Sequence, residues 1–168
     1  MTLAETVLQK VADWRPAGDK RQALLIPDGG SGWAVEVQAD RCDELSCRAW
    51  ELTLRRTRKI EAAPDALAAP DALQAWADRS ARQVTGLLEG LRVVEVDPLR
   101  AEALLRSATP AQRGEMISYF EVLLRGTKSA TLRRFRAHQE PGHRREQIAF
   151  PLTHESLAKV VTDLTAES

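Results

Sequence analysis

The chain has 168 residues, long enough to bury about two thirds of its unfolded surface as one domain, 1–168, without a metal or disulfide staple. With 43% hydrophobic and 29% charged residues, balanced charge and a pI near 6.8, it carries no global field that would steer it to nucleic acid or a membrane surface. Two cysteines are too few for a disulfide scaffold, no apolar run approaches the roughly 20 residues of a membrane-spanning helix, and Met1–Glu5 lacks the look of a signal peptide, so a cytoplasmic protein is expected. The preference for Arg over Lys and the many alanines fit a GC-rich bacterial genome.

The first element is a helix. Thr2 and Glu5 have the spacing of a capping box, Leu3, Val7, Val11 and Trp14 recur at helical intervals, and Pro16 and Gly18 end the run. Three strands are then predicted. Ala23–Ile26 is a short apolar run, and Pro27–Gly32 is rich in turn formers. Trp33, Val35 and Val37 alternate with Ala34, Glu36 and Gln38. After a turn at Asp40–Ser46, Arg48, Trp50, Leu52 and Leu54 share one face, opposite Ala49, Glu51, Thr53 and Arg55.

Residues 62–67 and 68–73 are both Ala-Ala-Pro-Asp-Ala-Leu. The second copy leads into a helix expected to be capped by Asp71 and ended by Gly90, with Leu73, Trp76, Ala77, Val84, Leu87 and Leu88 on its buried stripe. Leu91–Val96 is β-branched, and Leu99–Leu105 fits a helical turn or a short strand. Met116–Leu124, apolar on both faces, reads as a central strand; a helix capped at Thr109 is the rival, opposed by Gly114 in its interior. Arg125–Lys128 is a hairpin turn into Ala130–Ala137, and Gln139–Arg145 is a loop. Gln147–Phe150 is a short strand, and Thr153 caps a last helix with Leu157, Val160, Val161 and Leu164 inward and His154 on the surface. The order α-βββ-α-ββββ(β)-α predicts an α+β fold, an antiparallel sheet with helices packed on it.

Thr53-Leu54-Arg55-Arg56-Thr57-Arg58 is nearly repeated as Thr131-Leu132-Arg133-Arg134-Phe135-Arg136. Each copy closes a strand and precedes a helix, which points to pseudo-duplication of a β-meander–helix unit, residues 19–90 and 91–168. The element order also resembles that of small secretion chaperones, whose helices cover one face of an antiparallel sheet; the resemblance implies a chaperone-like or adaptor-like role.

Chemistry is sparse in this chain. Cys42 and Cys47, with His138 and His143, could form a tetrahedral zinc site, but Asp43-Glu44-Leu45-Ser46 offers no glycine for the tight turn between paired cysteines. Free thiols, no metal and no cofactor are expected. Arg55, Arg56, Arg58, Arg133, Arg134 and Arg136 are the candidate contacts for an anionic partner, because guanidinium groups hold carboxylate or phosphate bidentately. They would also serve simply as solvated strand faces paired with neighbouring glutamates. No nucleophile elbow, phosphate loop, dinucleotide fingerprint or His-Glu-x-x-His occurs. The expectation is a non-catalytic binding protein whose sheet meets a protein partner or a second copy of the chain, without membrane or nucleic acid. The alternatives are a small enzyme with a pocket between sheet and helices, and an arginine-mediated binder of RNA or an anionic ligand.

Overall fold

In a computed structural model of the chain, residues 1–18, 20–58 and 69–167 are described. They form an α+β fold of three helices and one antiparallel ten-stranded sheet. Helix α1 (Leu3–Ala12) starts with the expected box: Glu5 N donates to Thr2 Oγ1 at 3.1 Å, and Thr2 N to Glu5 Oε2 at 2.7 Å. Strands β1 (Gln22–Ile26), β2 (Trp33–Cys42) and β3 (Ser46–Arg56) are a meander. Helix α2 (Ala69–Gln83) leads to β4 (Leu91–Asp97), β5 (Glu102–Ser107), β6 (Ala111–Arg113), β7 (Met116–Arg125) and β8 (Ser129–His138). Two short strands, β9 (Glu146–Ile148) and β10 (Phe150–Thr153), precede α3 (His154–Thr165), whose cap is Thr153 as expected.

The strands run in the order β1-β2-β3-β8-β7-β5-β4. At the centre, β3 and β8 pair with Thr53 opposite Thr131 and Leu52 opposite Leu132, so the two Thr-Leu-Arg-Arg segments are antiparallel neighbours. Past Leu52 the two strands part, and the chain from 146 to 153 fills the gap. There β9 pairs with β8, with Glu146 opposite Arg136, and β10 pairs with β3, with Phe150 opposite Ala49. The first Ala-Ala-Pro-Asp-Ala-Leu copy lies outside the described residues.

All three helices pack on one face of the sheet. Val35, Val37, Leu52, Leu54, Leu105, Val122, Leu124 and Leu132 are inward residues of that face. They meet Val7 and Val11 of α1, Leu73 and Trp76 of α2, and Leu157, Val160 and Leu164 of α3 in one continuous core. Period-two alternation on the strands and period-3.6 stripes on the helices bring these residues together. Trp76 ties α2 to α3 by donating Nε1–H to Leu164 O at 2.9 Å, and its ring lies 5.7 Å from that of Trp33.

Several expectations are corrected by the fold. Helix α2 begins at Ala69, which puts Asp71 in its first turn rather than at the cap; Pro70 is tolerated there because first-turn amides have no intrahelical acceptor. The helix ends at Gln83 instead of Gly90, and Leu88 is fully exposed in a turn with φ of 62°. Residues 102–107 are strand, and Met116–Leu124 is a strand as expected; Gly114, at φ 61°, serves the β6–β7 hairpin. Trp50 does not share the inward face of Leu52 and Leu54. A register shift around Ala39 opposite Ala49 buries Ala49 instead and turns Trp50 to the other side, as an inserted bulge residue must. His154 is buried, because the α3 N-terminus docks on the β2–β3 hairpin, where His154 N donates to Leu45 O at 2.9 Å.

Candidate functional site

Among the described residues no helix covers the second face of the sheet, and this face carries most of the strand charges. Its ion pairs share one arrangement: the carboxylate lies low and the guanidinium lies over it. Asp40 is 8% exposed and Arg48 above it 55%, at 2.8 Å; Glu36 is 19% exposed and Arg55 61%, at 3.1 Å. Arg133 Nε reaches Glu51 at 2.8 Å, and the buried Glu121 holds both Arg106, at 3.0 Å, and Arg145, at 2.6 Å. Strand geometry explains the layering: the shorter acidic side chains stay near the backbone while longer arginines reach outward along apolar neighbours.

Aromatic rings fill the gaps between these pairs. Trp50 lies under the guanidinium groups of Arg21 and Arg48, at 5.1 and 5.9 Å from the ring centre, and donates Nε1–H to Asp40 at 2.9 Å. Arg145 stacks on Phe135 at 3.8 Å, and Arg106 lies 5.2 Å over Tyr119. Partial burial pulls the pKa of Arg145 down, but the hydrogen bonds it donates to Glu121 and Tyr119 outweigh it and leave the group above its ordinary value. It is a fixed cation. A shallow cleft of about 230 Å³ runs beside Glu121, Arg106 and Arg145 toward β4.

The six arginines of the Thr-Leu-Arg-Arg copies do not gather in one patch. Arg55 and Arg133 lie on the helix-free face. Their neighbours Arg56 and Arg134 lie on the other side, stacked on the core rings of Trp33 at 4.4 Å and Phe120 at 4.3 Å. Consecutive strand residues alternate faces, so a doubled arginine divides between them. Arg56 reaches Glu167 at 3.1 Å and Arg134 reaches Glu89 at 3.0 Å. Arg58 bonds the Gly30 carbonyl at 2.5 Å, and Arg136 pairs with Glu146. Arg145, which follows the second run in the next loop, joins this face, as do Arg21, Arg48 and Arg106, which lie outside the two runs and find their carboxylate or ring partners on neighbouring strands.

The cysteines are joined, contrary to the expectation of free thiols. Cys42 and Cys47 are directly opposed, with Cα atoms 4.1 Å apart, just outside the Asp43 N to Ser46 O hydrogen bond. That is a non-hydrogen-bonded pair, the closest cross-strand position. The turn needs no glycine because Asp43 Oδ1 accepts from both Leu45 N, at 2.8 Å, and Ser46 N, at 2.9 Å, an Asx turn. The same two bonds, Leu45 first, hold the Asp43 pKa below its ordinary value. The histidines do not join the cysteines. His138 and His143 stack at 4.3 Å with Glu140 nearby, while the buried His154 lies beside the disulfide.

A cavity of about 750 Å³ opens between the start of α2 and the turn at Gly126. Pro70, Leu73 and Pro98 form its apolar wall, and its charged groups are Arg100, Arg125, Lys128 and Glu102. Arg125 faces Glu102 at 3.9 Å, and Arg100 faces Asp97 at 3.8 Å. Three cations and one carboxylate suit an anion better than a proton-transfer pair. The described residues define an α+β protein with its helices on one side of an antiparallel sheet. No protein-family model, curated protein or solved structure significantly matches the chain.

Proposed function

We propose that this is a non-catalytic binding protein whose helix-free sheet face receives an acidic segment of a protein partner. The observation that carries the reading is the layering of that face: Asp40, Glu36, Glu51 and Glu121 lie beneath, with Arg48, Arg55, Arg133, Arg106 and Arg145 outermost. The Asp40, Glu36 and Glu51 pairs are each neutral, the Glu121 group with its two arginines carries one excess positive charge, and a partner meets the guanidinium edge first. Those groups keep N–H donors free of their intramolecular partner, since one guanidinium carries five. The rings of Trp50, Tyr119 and Phe135 support Arg48, Arg106 and Arg145, which lowers the ordering cost of binding. A whole-chain charge of zero does not oppose this, because association responds to the local field.

The test uses poly-L-glutamate as the acidic probe and poly-L-lysine as the control, at two ionic strengths. Wild type should bind the polyanion more weakly at high salt and ignore the polycation. Arg48→Gln, Arg55→Gln and Arg133→Gln combined should lose at least tenfold in affinity, a difference of about 1.4 kcal/mol, and stay folded, because only the outer member of each pair is changed and Trp50 Nε1–H still donates to Asp40. Equal binding by the variant, or none by wild type, would refute the reading.

A further inference from the structure

We propose that the Cys42–Cys47 disulfide is the oxidised state of a redox-gated metal site, which on reduction binds one thiophilic divalent cation, zinc foremost, through both thiolates and the His154 imidazole. The two sulfurs and one ring nitrogen of His154 all lie within 4.8 Å of one another, and all three residues are buried. His154 Nε2 is enclosed and has no hydrogen-bond partner, an unusual condition for a buried polar nitrogen. Two sulfurs and one imidazole nitrogen this close together are three donors for a single thiophilic cation.

The donors are held by three different elements. Cys42 ends β2, Cys47 lies at the start of β3, and His154 is the first residue of α3. Thr153 is in register with Ser46, and the His154 N to Leu45 O bond locks helix to hairpin. Reduction cuts the S–S bond but leaves this backbone frame. Two thiolates, one imidazole and an open fourth position are an ordinary zinc environment. The two thiolate charges balance the dication, so the loaded site has no net charge to bury. A cleft of about 320 Å³, lined by Cys47, Asp43, Arg48 and Pro151, gives access from solvent.

Oxidation closes the site because the sulfur electron pairs are committed to each other, leaving one imidazole. Reduction by a dithiol passes two electrons to the disulfide; the dithiol becomes a disulfide, and its two protons end on Cys42 and Cys47. Metal binding then releases those two protons. In a reducing compartment the open form would dominate, and in an oxidising one the closed form.

The full chain is reduced with a water-soluble phosphine, which takes up the oxygen of one water as phosphine oxide while both cysteines gain hydrogen. It is then titrated with Co²⁺ and competed with Zn²⁺. The reduced chain should bind one Co²⁺ with thiolate-to-cobalt charge-transfer bands and release about two protons per metal; the disulfide form should show no such bands. His154→Gln should weaken binding by at least about tenfold, the loss that even an outer-shell substitution causes. In wild type, zinc should shift the His154 ring ¹⁵N resonances, a readout that needs no variant. Absence of thiolate bands, an unmoved His154 signal, loss of the fold on reduction, or binding that depends on His138 and His143 instead would each overturn the proposal.

Discussion

Asp43 makes the β2–β3 connection work with no glycine, and its carboxylate is the reason Cys42 and Cys47 meet. Because Leu45 N–H and Ser46 N–H hydrogen-bond its charged form, its pKa is lower folded than unfolded. The stability it lends is therefore complete above its ordinary value of 3.8 and is lost as pH falls through the lower folded value. Asp43→Asn should flatten the acid limb of stability against pH, measured by urea unfolding from neutral pH down to about 2. The disulfide spans five positions of sequence, so it removes little entropy from the unfolded chain. Reduction should cost about 2 kcal/mol and leave the protein folded, which matched urea curves with and without reductant would show.

The end of α2 illustrates how an element is cut short. Its apolar stripe continues through Val84 and Leu87, both buried, but the helix stops at Gln83, and Gly86 then passes close to α3. A Cβ on Gly86 would meet Ser156 O and Val160 Cγ2, each at 3.2 Å. Gly86→Ala should therefore destabilise by about 1 kcal/mol, the lower end of overpacking costs. Leu88, two residues on, is exposed and held at φ 62°. Leu88→Gly should stabilise by up to about 1 kcal/mol, since glycine escapes the left-handed penalty. Thermal unfolding of the two variants should move in opposite directions.

The core passes without a break from Val35 and Leu54 of the first half to Val122 and Leu132 of the second. Leu132 is fully buried where β3 meets β8, and its replacement by alanine should cost about 2–5 kcal/mol. Calorimetry should show one transition moved to lower temperature, not two separable ones. The α+β class, the three helices and most strands were readable from residues such as Thr2, Trp33, Val122 and Thr153, because caps and periodicity are properties of neighbours in sequence. The face of Trp50 was not, because it depends on a bulge set by the partner strand. The division of the arginines followed from strand alternation, but their carboxylate partners came from distant strands: Glu51 and Arg133 are 82 positions apart. Local patterning specifies which stretches are helix or strand. The burial of His154 beside the disulfide and the guanidinium-topped face arise only when α3 docks on the hairpin and β3 meets β8, since those contacts join segments about which nearby residues carry no information.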